Sequence, residues 1–168
     1  MCEKRPIRIE GAVAYITLTQ GCIALIDAED VPLVSGYDWT VLHSARTSYA
    51  RRNQWSPSAQ KTILLHRVVL GEPVGLRIDH KDGNGLDCRK ANLRFATYRQ
   101  NNTNTRTRAD NRTGLKGVSK HSLCNKYRAA ISLDGVRRDL GLFETAELAH
   151  AAYCAASAQL HREFGRTK

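Results

Sequence analysis

The sequence predicts an α+β protein built from three consecutive parts: a small antiparallel sheet, a β-hairpin followed by a helix, and a three-stranded antiparallel sheet packed on one helix. Three observations support this fold class. Strand-like runs alternate with Gly and Pro turns through the first third of the chain. Two further strand-like runs precede a helical segment near the middle. An Asp-Gly pair, Asp134-Gly135, joins two more strands ahead of a long C-terminal helix.

The N-terminal part is predicted to be a meandering antiparallel sheet, because its runs of β-branched and aromatic residues are short and end at turn residues. Trp39 and Trp55 are expected to pack inside it, since aromatic side chains dominate small cores. The predicted strands are residues 12–19, 22–27, 37–43, 48–52 and 61–65.

The middle part is predicted to fold in the order strand, strand, helix. A helical turn comes first, closed by Gly71, because glycine readily adopts the conformation that ends a helix. Thr97 is a suitable N-cap for the last helix, which carries Asn101. The predicted elements are the turn at 66–70, strands at 77–80 and 92–95 joined by a loop at 81–90, and the helix after Thr97.

Residues 102–115 are rich in Asn, Thr and Arg and hold no large apolar side chain before Leu115, so a linker is predicted there. The last part is predicted to hold strands at 116–119, 126–133 and 136–140 and a helix at 145–161. Small residues recur along that helix at three- and four-residue steps and should face the sheet. They are Ala149, Ala152, Tyr153, Ala156 and Leu160.

The central strand of this last sheet alternates apolar and basic residues, which predicts one covered and one exposed face. The face toward the helix should hold Tyr127, Ala129, Ile131 and Leu133. The exposed face should hold Lys126, Arg128, Ala130 and Ser132. A three-stranded sheet with a basic outer face is able to enter a DNA major groove.

Composition points to a polyanionic partner. The 168 residues carry a net charge of +10, and such a basic balance favours nucleic acid binding. Lys and Arg against Asp and Glu number 6 and 6 over residues 1–60, 11 and 5 over 61–112, and 9 and 5 over 113–168. The excess therefore lies in the last two-thirds of the chain. A polyanion is therefore the expected partner.

Other compositional features exclude several classes of protein. Five cysteines without a Cys-x-x-Cys pair argue against a disulfide framework and a zinc ribbon, and predict free thiols. No signal peptide or membrane span is visible, so we expect no membrane partner. A cytoplasmic location, in a bacterial or phage-infected cell, is the expectation.

The segment from Asp79 to Asn84 places a carboxylate, an imidazole and an amide within one short module. Hydrolysis of a phosphodiester needs an activated water and neutralisation of the phosphoryl charge. His80 suits the role of neutral base near pH 7. Asp79 and Asn101 offer hard oxygen ligands for Mg²⁺, with Mn²⁺ as an alternative.

Two features of this module leave alternatives open. Neighbours on a regular strand point to opposite faces, so Asp79 and His80 share a phosphate only if the strand end is distorted. A bland alternative is equally compatible with the residues alone, because Asp82-Gly83-Asn84 is ordinary turn chemistry.

Several spaced motifs in this region, over roughly residues 13–104, together resemble HNH homing endonucleases with the ββα-metal fold. They are Leu65-His66-Arg67, the run from Ile78 to Asp87, the run from Asn92 to Thr97, and Gln100-Asn101. The resemblance implies that Asp79 and Asn101 bind the metal, His80 is the general base, and Asn92 holds the loop. His66 is open between a structural or phosphate-contacting role and a catalytic one, while Asp82 and Asn84 are expected to form the turn.

Two positions depart from the pattern of these nucleases. Cys88 stands where Asn is usual, and Phe95 where Trp is usual. Phe95 is expected to pack between the hairpin and the helix. The resemblance also implies DNA contacts from the basic residues of the module, Arg67, Arg94 and Arg99, together with His66.

The C-terminal part resembles the Apetala or ethylene-response-factor DNA-binding domain, on the segment 114–119 with 126–131, 140–143 and 149–153. Tyr127 replaces the usual Trp, so the base preference does not carry over. In that family the sheet lies in the major groove, and Ser132 is left open as a further contact of this kind. The implied contacts are Lys116, Ser119, His121, Lys126, Arg128 and Arg137.

The domain organisation expected from both resemblances is an HNH nuclease domain at 1–104, with its ββα-metal core at about 66–104, a basic linker at 105–115 and an Apetala-type domain at 116–168. The expected function is metal-dependent cleavage of duplex DNA to 5′-phosphate and 3′-hydroxyl ends, by a monomer that nicks or a homodimer that cuts both strands. The alternatives are a non-catalytic DNA-binding regulator derived from a nuclease and, more weakly, an RNA-binding protein.

Overall fold

The computed structural model describes residues 4–45, 47–57 and 59–167. The chain divides into two compact units, Met1–Thr97 and Tyr98–Lys168. Both units mix antiparallel sheets with short helices, which agrees with the predicted α+β class. The predicted boundaries at residues 104 and 116 stay a prediction.

Among its described residues, unit 1 holds three antiparallel sheets, in the strand orders β1-β2-β3, β4-β5-β6 and β7-β8. The predicted N-terminal sheet is therefore two sheets, and β1 was not anticipated. The strands are β1 (Ile7–Glu10), β2 (Val13–Thr17), β3 (Ile23–Asp27), β4 (Thr40–His43), β5 (Ser48–Ser56), β6 (Ala59–Leu64), β7 (Arg77–His80) and β8 (Leu93–Ala96). The helices are α1 (Val31–Val34) and α2 (Leu65–Leu70).

The core of unit 1 forms because β2 and β3 alternate and pair in matching register. Ala14 lies opposite Ile26, so a small residue faces a large one across the ladder. Trp39 is 1% exposed, as predicted, and its indole N–H donates to the Val34 carbonyl at 3.1 Å. Trp55 is 76% exposed, so its predicted packing role is wrong. It lies near the tip of the β5–β6 hairpin, opposite Gln60 and beyond the reach of the core.

The helical turn predicted ahead of the hairpin forms as α2, and the helix predicted after Thr97 forms at Tyr98–Thr103. Gly71 closes α2 with φ 87°, which glycine tolerates and other residues rarely adopt. The second hairpin strand, β8, begins one residue later than predicted. Phe95 on this strand is 45% exposed.

Unit 2 holds α3 (Tyr98–Thr103), the strands β9 (Val118–Lys120), β10 (Tyr127–Leu133) and β11 (Val136–Phe143), and α4 (Ala146–Leu160). The turn between β10 and β11 has positive φ at both Asp134 and Gly135, as hairpin turns of this length require. Thr145 caps α4, because its hydroxyl accepts a hydrogen bond from the Leu148 amide at 3.3 Å. Segment 104–117, all of it described, consists of turns, bends and irregular chain.

The sheet of unit 2 has the order β11-β10-β9 and packs on α4 through small side chains. Ala149 and Tyr153 are buried there, as the helix periodicity predicted. Gly117 is required at this contact, since a Cβ would stand 2.0 Å from the Tyr153 ring. The face of α4 that packs on the sheet also includes Ser157, which is fully buried and which the apolar pattern did not indicate.

One prediction about the faces of β10 is wrong. Ala130 is 8% exposed, although the alternation placed it on the open face. The register shifts between Ala129 and Ala130, with one additional residue, Leu140, on β11. Such a bulge increases the local twist of a sheet, and simple alternation then no longer predicts exposure.

The cysteines agree with the predicted free thiols wherever the structure describes them, at Cys22, Cys88, Cys124 and Cys154. Cys2 lies outside the described residues. No helix within the described ranges is long and apolar enough to cross a membrane.

Candidate active site

The hairpin of β7 and β8 positions the predicted catalytic carboxylate. Asp79 lies directly opposite Arg94 in the antiparallel ladder, so both side chains leave on the same face. The Arg94 guanidinium donates from Nε and Nη2 to Asp79 Oδ2 at 2.8 and 2.7 Å. The side chains are only 6% and 11% exposed. This is a buried, charge-assisted pair, and it fixes the orientation of the carboxylate.

The next residue, His80, contributes to a buried cluster of rings. Its imidazole stands edge-on to His66, with ring centroids 5.0 Å apart. Tyr49 contacts both imidazoles, with centroid distances of 5.7 Å to His66 and 5.9 Å to His80. Three elements meet here, because His66 lies on α2, Tyr49 on β5 and His80 at the end of β7.

Burial sets the protonation of both imidazoles. Desolvation lowers the pKa of His80, while the nearby carboxylates Asp82, Asp79 and Asp87 act in the opposite direction. Desolvation also lowers the pKa of His66 to about 3, and His80 and Arg67 contribute to that decrease. His80 is therefore neutral at pH 7 and retains a lone pair, which a general base needs.

The loop between β7 and β8 is closed by one amide side chain. Asn92 Nδ2 donates to the Asp82 carboxylate and to the Asp87 carbonyl, both at 2.9 Å, and Asn92 Oδ1 accepts from the Asp82 amide at 3.1 Å. Within the loop, Asp82 and Asn84 accept from backbone amides two residues further on. These contacts are the local turn chemistry expected of Asp82 and Asn84, and they make Asn92 the central brace of the loop.

The loop is also fastened to β3 of the N-terminal sheet. The Leu25 amide donates to the Leu86 carbonyl, and the Cys88 amide donates to the Leu25 carbonyl, both at 2.8 Å. The Cys88 side chain is completely buried at this contact. The Lys90 amide adds a bond to Asp27 Oδ2 at 2.8 Å. The N-terminal sheet therefore supports the loop between β7 and β8.

The predicted distortion of the strand end is not visible in the ladder, which runs without a register shift from Arg77 to His80. Alternation then sends Asp79 toward Arg94 and His80 toward the ring cluster. Convergence of both side chains on one phosphate stays a prediction. Asn101 lies on α3, in unit 2, and its part in the metal site stays a prediction too.

Two sets of donor atoms are candidates for metal ligation. The Asp79 carboxylate is a hard oxygen donor of the kind that Mg²⁺ prefers, so the predicted hard-metal site fits this residue's chemistry. A second set was not anticipated: His66, His80 and Cys88 bring ligand atoms within 4.8 Å of one another. The Leu65-His66-Arg67 motif and Cys88 at the Asn position were partial signals for it. The three side chains lie close together because backbone hydrogen bonds attach the β7–β8 loop to β3.

The predicted DNA-contacting residues of unit 1 differ in exposure. Arg67 is half-exposed and paired with Glu72 at 2.7 Å. Arg94 forms an ion pair with Asp79, and His66 is buried in the ring cluster. Only Arg67 among these three presents its charge to solvent in the manner of a phosphate contact.

In unit 2, the open face of the sheet carries several of the predicted contacts. Arg128 lies opposite Ser119 on β9, and Ser132 lies opposite Arg137 on β11. Arg128 forms an ion pair with Asp139 on the same surface. Arg128 and Arg137 share one side of the sheet, because Arg137 and Asp139 are two residues apart on β11 and Asp139 pairs with Arg128.

The other predicted contacts in unit 2 have local partners. Lys126 pairs with Glu144 at 2.7 Å, and Arg99 with Asp134 at 3.2 Å. His121 Nδ1 accepts from the Leu123 amide at 3.2 Å. Lys116 Nζ donates to the carbonyls of Thr103 and Thr105, at 2.8 and 2.6 Å. Its pKa is lowered to about 8, chiefly by burial.

Comparison with known proteins decides the family. A sequence profile described as HNH endonuclease matches residues 64–103, which span the hairpin, its loop and α3. Protein 3.8 of Escherichia phage T7 is 32% identical over 94 residues, covering 56% of this chain and 77% of the phage protein. The chain belongs to the HNH endonuclease family. This membership indicates a nuclease that acts on DNA. Members of the HNH family generally use a divalent metal.

A second relative of this HNH protein spans most of the chain. An uncharacterized HNH endonuclease, L560, of Acanthamoeba polyphaga mimivirus is 27% identical over 160 residues, covering 93% of this chain and 81% of the viral protein. No solved structure matches significantly. The profile match ends at residue 103, so the Apetala-type assignment of the C-terminal part stays a prediction.

Proposed function

We propose that this HNH protein is a metal-dependent, homing-type endonuclease that hydrolyses phosphodiester bonds in duplex DNA and leaves 5′-phosphate and 3′-hydroxyl ends. The observation that carries the proposal is the state of His80. Its imidazole is buried and neutral, at the start of a loop that Asn92 ties together with three hydrogen bonds. A fixed, unprotonated imidazole is the group that removes a proton from the attacking water.

Asp79 and Asn101 are the residues that would hold the metal, most suitably Mg²⁺ or Mn²⁺, through their side-chain oxygens. A divalent ion bound there supplies neutralisation of the phosphate charge and of the departing 3′-oxygen. Arg94 positions Asp79 through its two bonds to Oδ2. Outer-shell partners of this kind orient ligating carboxylates in metal sites.

Duplex DNA is the proposed substrate, and the open face of the unit 2 sheet is the proposed DNA-binding surface. Arg128, Arg137 and Ser119 lie on that face, where they suit contacts to phosphates and base edges. We propose that unit 2 contributes affinity and site preference, while the β7–β8 hairpin contributes the chemistry. One hairpin supplies one base, so a monomer should nick one strand and a homodimer should cut both.

A plasmid cleavage assay tests the proposal. Supercoiled plasmids that carry candidate target sites should be nicked or linearised in Mg²⁺ and stay intact in EDTA. The ends should be ligatable without prior kinase treatment, because they carry 5′-phosphate. Persistence of intact plasmid with Mg²⁺ and with Mn²⁺, across a randomised target library that the protein demonstrably binds, would sink the endonuclease assignment.

A non-catalytic DNA-binding regulator is the alternative, and one observation favours it. The Arg94 guanidinium occupies Asp79 Oδ2 with two short bonds, and its positive charge opposes cation binding at the same carboxylate. The two functions separate in the same assay. A regulator would bind the selected target with equal affinity in Mg²⁺ and EDTA and never release a cleaved product.

A further inference from the structure

We propose that His66, His80 and Cys88 form a binding site for a soft divalent cation such as Zn²⁺, distinct from the hard-metal ligands Asp79 and Asn101. The ligand atoms of the three side chains all lie within 4.8 Å of one another. The three residues are 6%, 6% and 0% exposed, so the site is enclosed. Two imidazoles and a thiolate form a ligand set that zinc commonly takes, with water in the fourth position.

The buried ring of His66 points to a ligand independently of this cluster. Within the described part of the chain, His66 Nδ1 is buried and makes no hydrogen bond. A buried polar nitrogen without a hydrogen-bond partner destabilises the folded protein, and native proteins seldom contain one. The low pKa of His66 keeps its ring neutral, so that one of the two ring nitrogens has a lone pair to donate.

The protein holds the third ligand in place through its backbone. The Cys88 amide is bonded to the Leu25 carbonyl of β3, and the Asn92 side chain is bonded to the neighbouring Asp87 carbonyl. The thiol itself is 3.8 Å from the Gly85 carbonyl oxygen, a weak contact that a metal bond would replace. Cys88 therefore approaches the two imidazoles from a braced loop. The ligand atoms of a tetrahedral shell are roughly 3.5 Å apart, so those of the three side chains, which lie within 4.8 Å of one another, must move closer together by about 1 Å at most.

Binding is balanced by the release of one proton. The Cys88 thiol has a pKa raised by burial, and it becomes a thiolate only as the cation arrives and its proton leaves to solvent. Both imidazoles are already neutral, so no other proton moves. The bound unit of one dication and one thiolate carries a single positive charge, close to the carboxylates that surround His80.

The consequence for activity rests on the proposed function. His80 is the proposed general base, and coordination to a soft cation would occupy the lone pair that takes the proton from water. Zn²⁺ should therefore inhibit cleavage that Mg²⁺ supports. The inhibition should depend on Cys88, which replaces the Asn usual in the nucleases this chain resembles.

Two other thiol–imidazole pairs are possible competitors for the cation. Cys124 Sγ lies 3.3 Å from His121 Nδ1, and Cys154 Sγ lies 3.5 Å from His150 Nε2. Among the residues that the structure describes, neither pair belongs to a group of three ligands. Both provide matched control positions.

The test uses the full chain, reduced and free of metal, titrated with Co²⁺ as a spectroscopic probe and with Zn²⁺ against a chromophoric chelator. Wild type should bind one equivalent and show a thiolate-to-cobalt charge-transfer band. Cys88→Ser and Cys88→Asn should lose the band and weaken Zn²⁺ binding at least tenfold, whereas Cys124→Ser and Cys154→Ser should keep both. Far-UV circular dichroism establishes that each variant is folded.

His66→Asn provides a second variant, expected to weaken binding while the thiolate band shifts or fades. No band in wild type, or a band lost in Cys124→Ser and kept in Cys88→Asn, would overturn the site. These titrations need no nuclease activity, so failure of the proposed function leaves their outcome interpretable. Where Mg²⁺-supported cleavage is measurable, Zn²⁺ should suppress it in wild type and much less in Cys88→Asn.

Discussion

Arg94 stands opposite Asp79 in the β7–β8 ladder and donates two hydrogen bonds to a single carboxylate oxygen. This cross-strand pair fixes the orientation of the carboxylate that we propose as a metal ligand. Replacing Arg94 with alanine removes the orienting group from a buried carboxylate.

We expect Arg94→Ala to lower the free energy of unfolding by about 3–5 kcal/mol, as loss of one partner of a buried pair typically does. In folded protein at low temperature, cleavage at limiting Mg²⁺ should fall by about 10–100-fold. Denaturant titration and the Mg²⁺ dependence of nicking measure the two effects. Arg94→Lys keeps the charge without the forked donors, and its effects should lie between those of wild type and Arg94→Ala. Faster cleavage in Arg94→Ala would mean that the guanidinium competes with the metal.

The Asn92 brace predicts a separate effect on the loop. Asn92→Ala removes three hydrogen bonds that close residues 81–92. Stability should fall by about 1–3 kcal/mol, because three hydrogen bonds are lost, one of them to the carbonyl of buried Asp87. Cleavage should fall as well while DNA affinity is unchanged, since the base loses its fixed position. Asn53→Ala, at an exposed position of β5, is the matched control. Wild-type cleavage by Asn92→Ala would exclude the bracing role.

Close packing of the loop on β5 makes Gly85 sensitive to any side chain. A Cβ at this position would stand 2.5 Å from the Ser48 carbonyl oxygen and 2.6 Å from Tyr49 Cε1. Gly85→Ala should therefore destabilise the protein by about 1–3 kcal/mol through overpacking. Gly36→Ala is the control, because a Cβ there meets no atom within 4 Å. Thermal melts of both variants measure the difference, and equal melting temperatures would refute the close contact.

If the open face of the unit 2 sheet binds DNA phosphates, mutations on that face should change how DNA affinity depends on salt. Removal of one phosphate-binding side chain should reduce the slope of log affinity against log salt by about 0.9. Arg128→Ala with Arg137→Ala should weaken binding and flatten that slope, whereas Arg8→Ala, on exposed β1 beside Glu10, should not. Binding isotherms over a range of salt concentrations provide the slopes. Unchanged slopes in the double variant would remove this face from the DNA interface.

Local sequence signals predicted much of the fold. The Asp134-Gly135 turn formed as expected, because it depends on the conformational preference of two residues. Helix α4 also formed close to its predicted bounds of 145–161. The β7–β8 hairpin was predictable from the two strand-like runs on either side of a polar loop. Trp55 and Ala130 were placed wrongly, because their burial depends on the length of a hairpin and on a bulge in a neighbouring strand.

The candidate site was predictable only in part. His80, Asp79 and Asn92 stand within one short module, and their residue types indicate the chemistry. The pairing of Arg94 with Asp79 depends on strand register, and the approach of Cys88 to His66 depends on a bridge between Leu25 and Asp87, 62 positions apart in the sequence. Contacts of such long range leave no local pattern.

The central claim is that His80 is the base in metal-dependent DNA cleavage, and the most direct test is the single-turnover nicking rate of wild type against His80→Ala at saturating Mg²⁺. We predict that His80→Ala reduces this rate by about 10²–10⁴-fold, with DNA affinity retained. His43→Ala, which removes an exposed imidazole from the same unit, should nick at the wild-type rate. A folded His80→Ala protein that nicks at the wild-type rate would contradict the account.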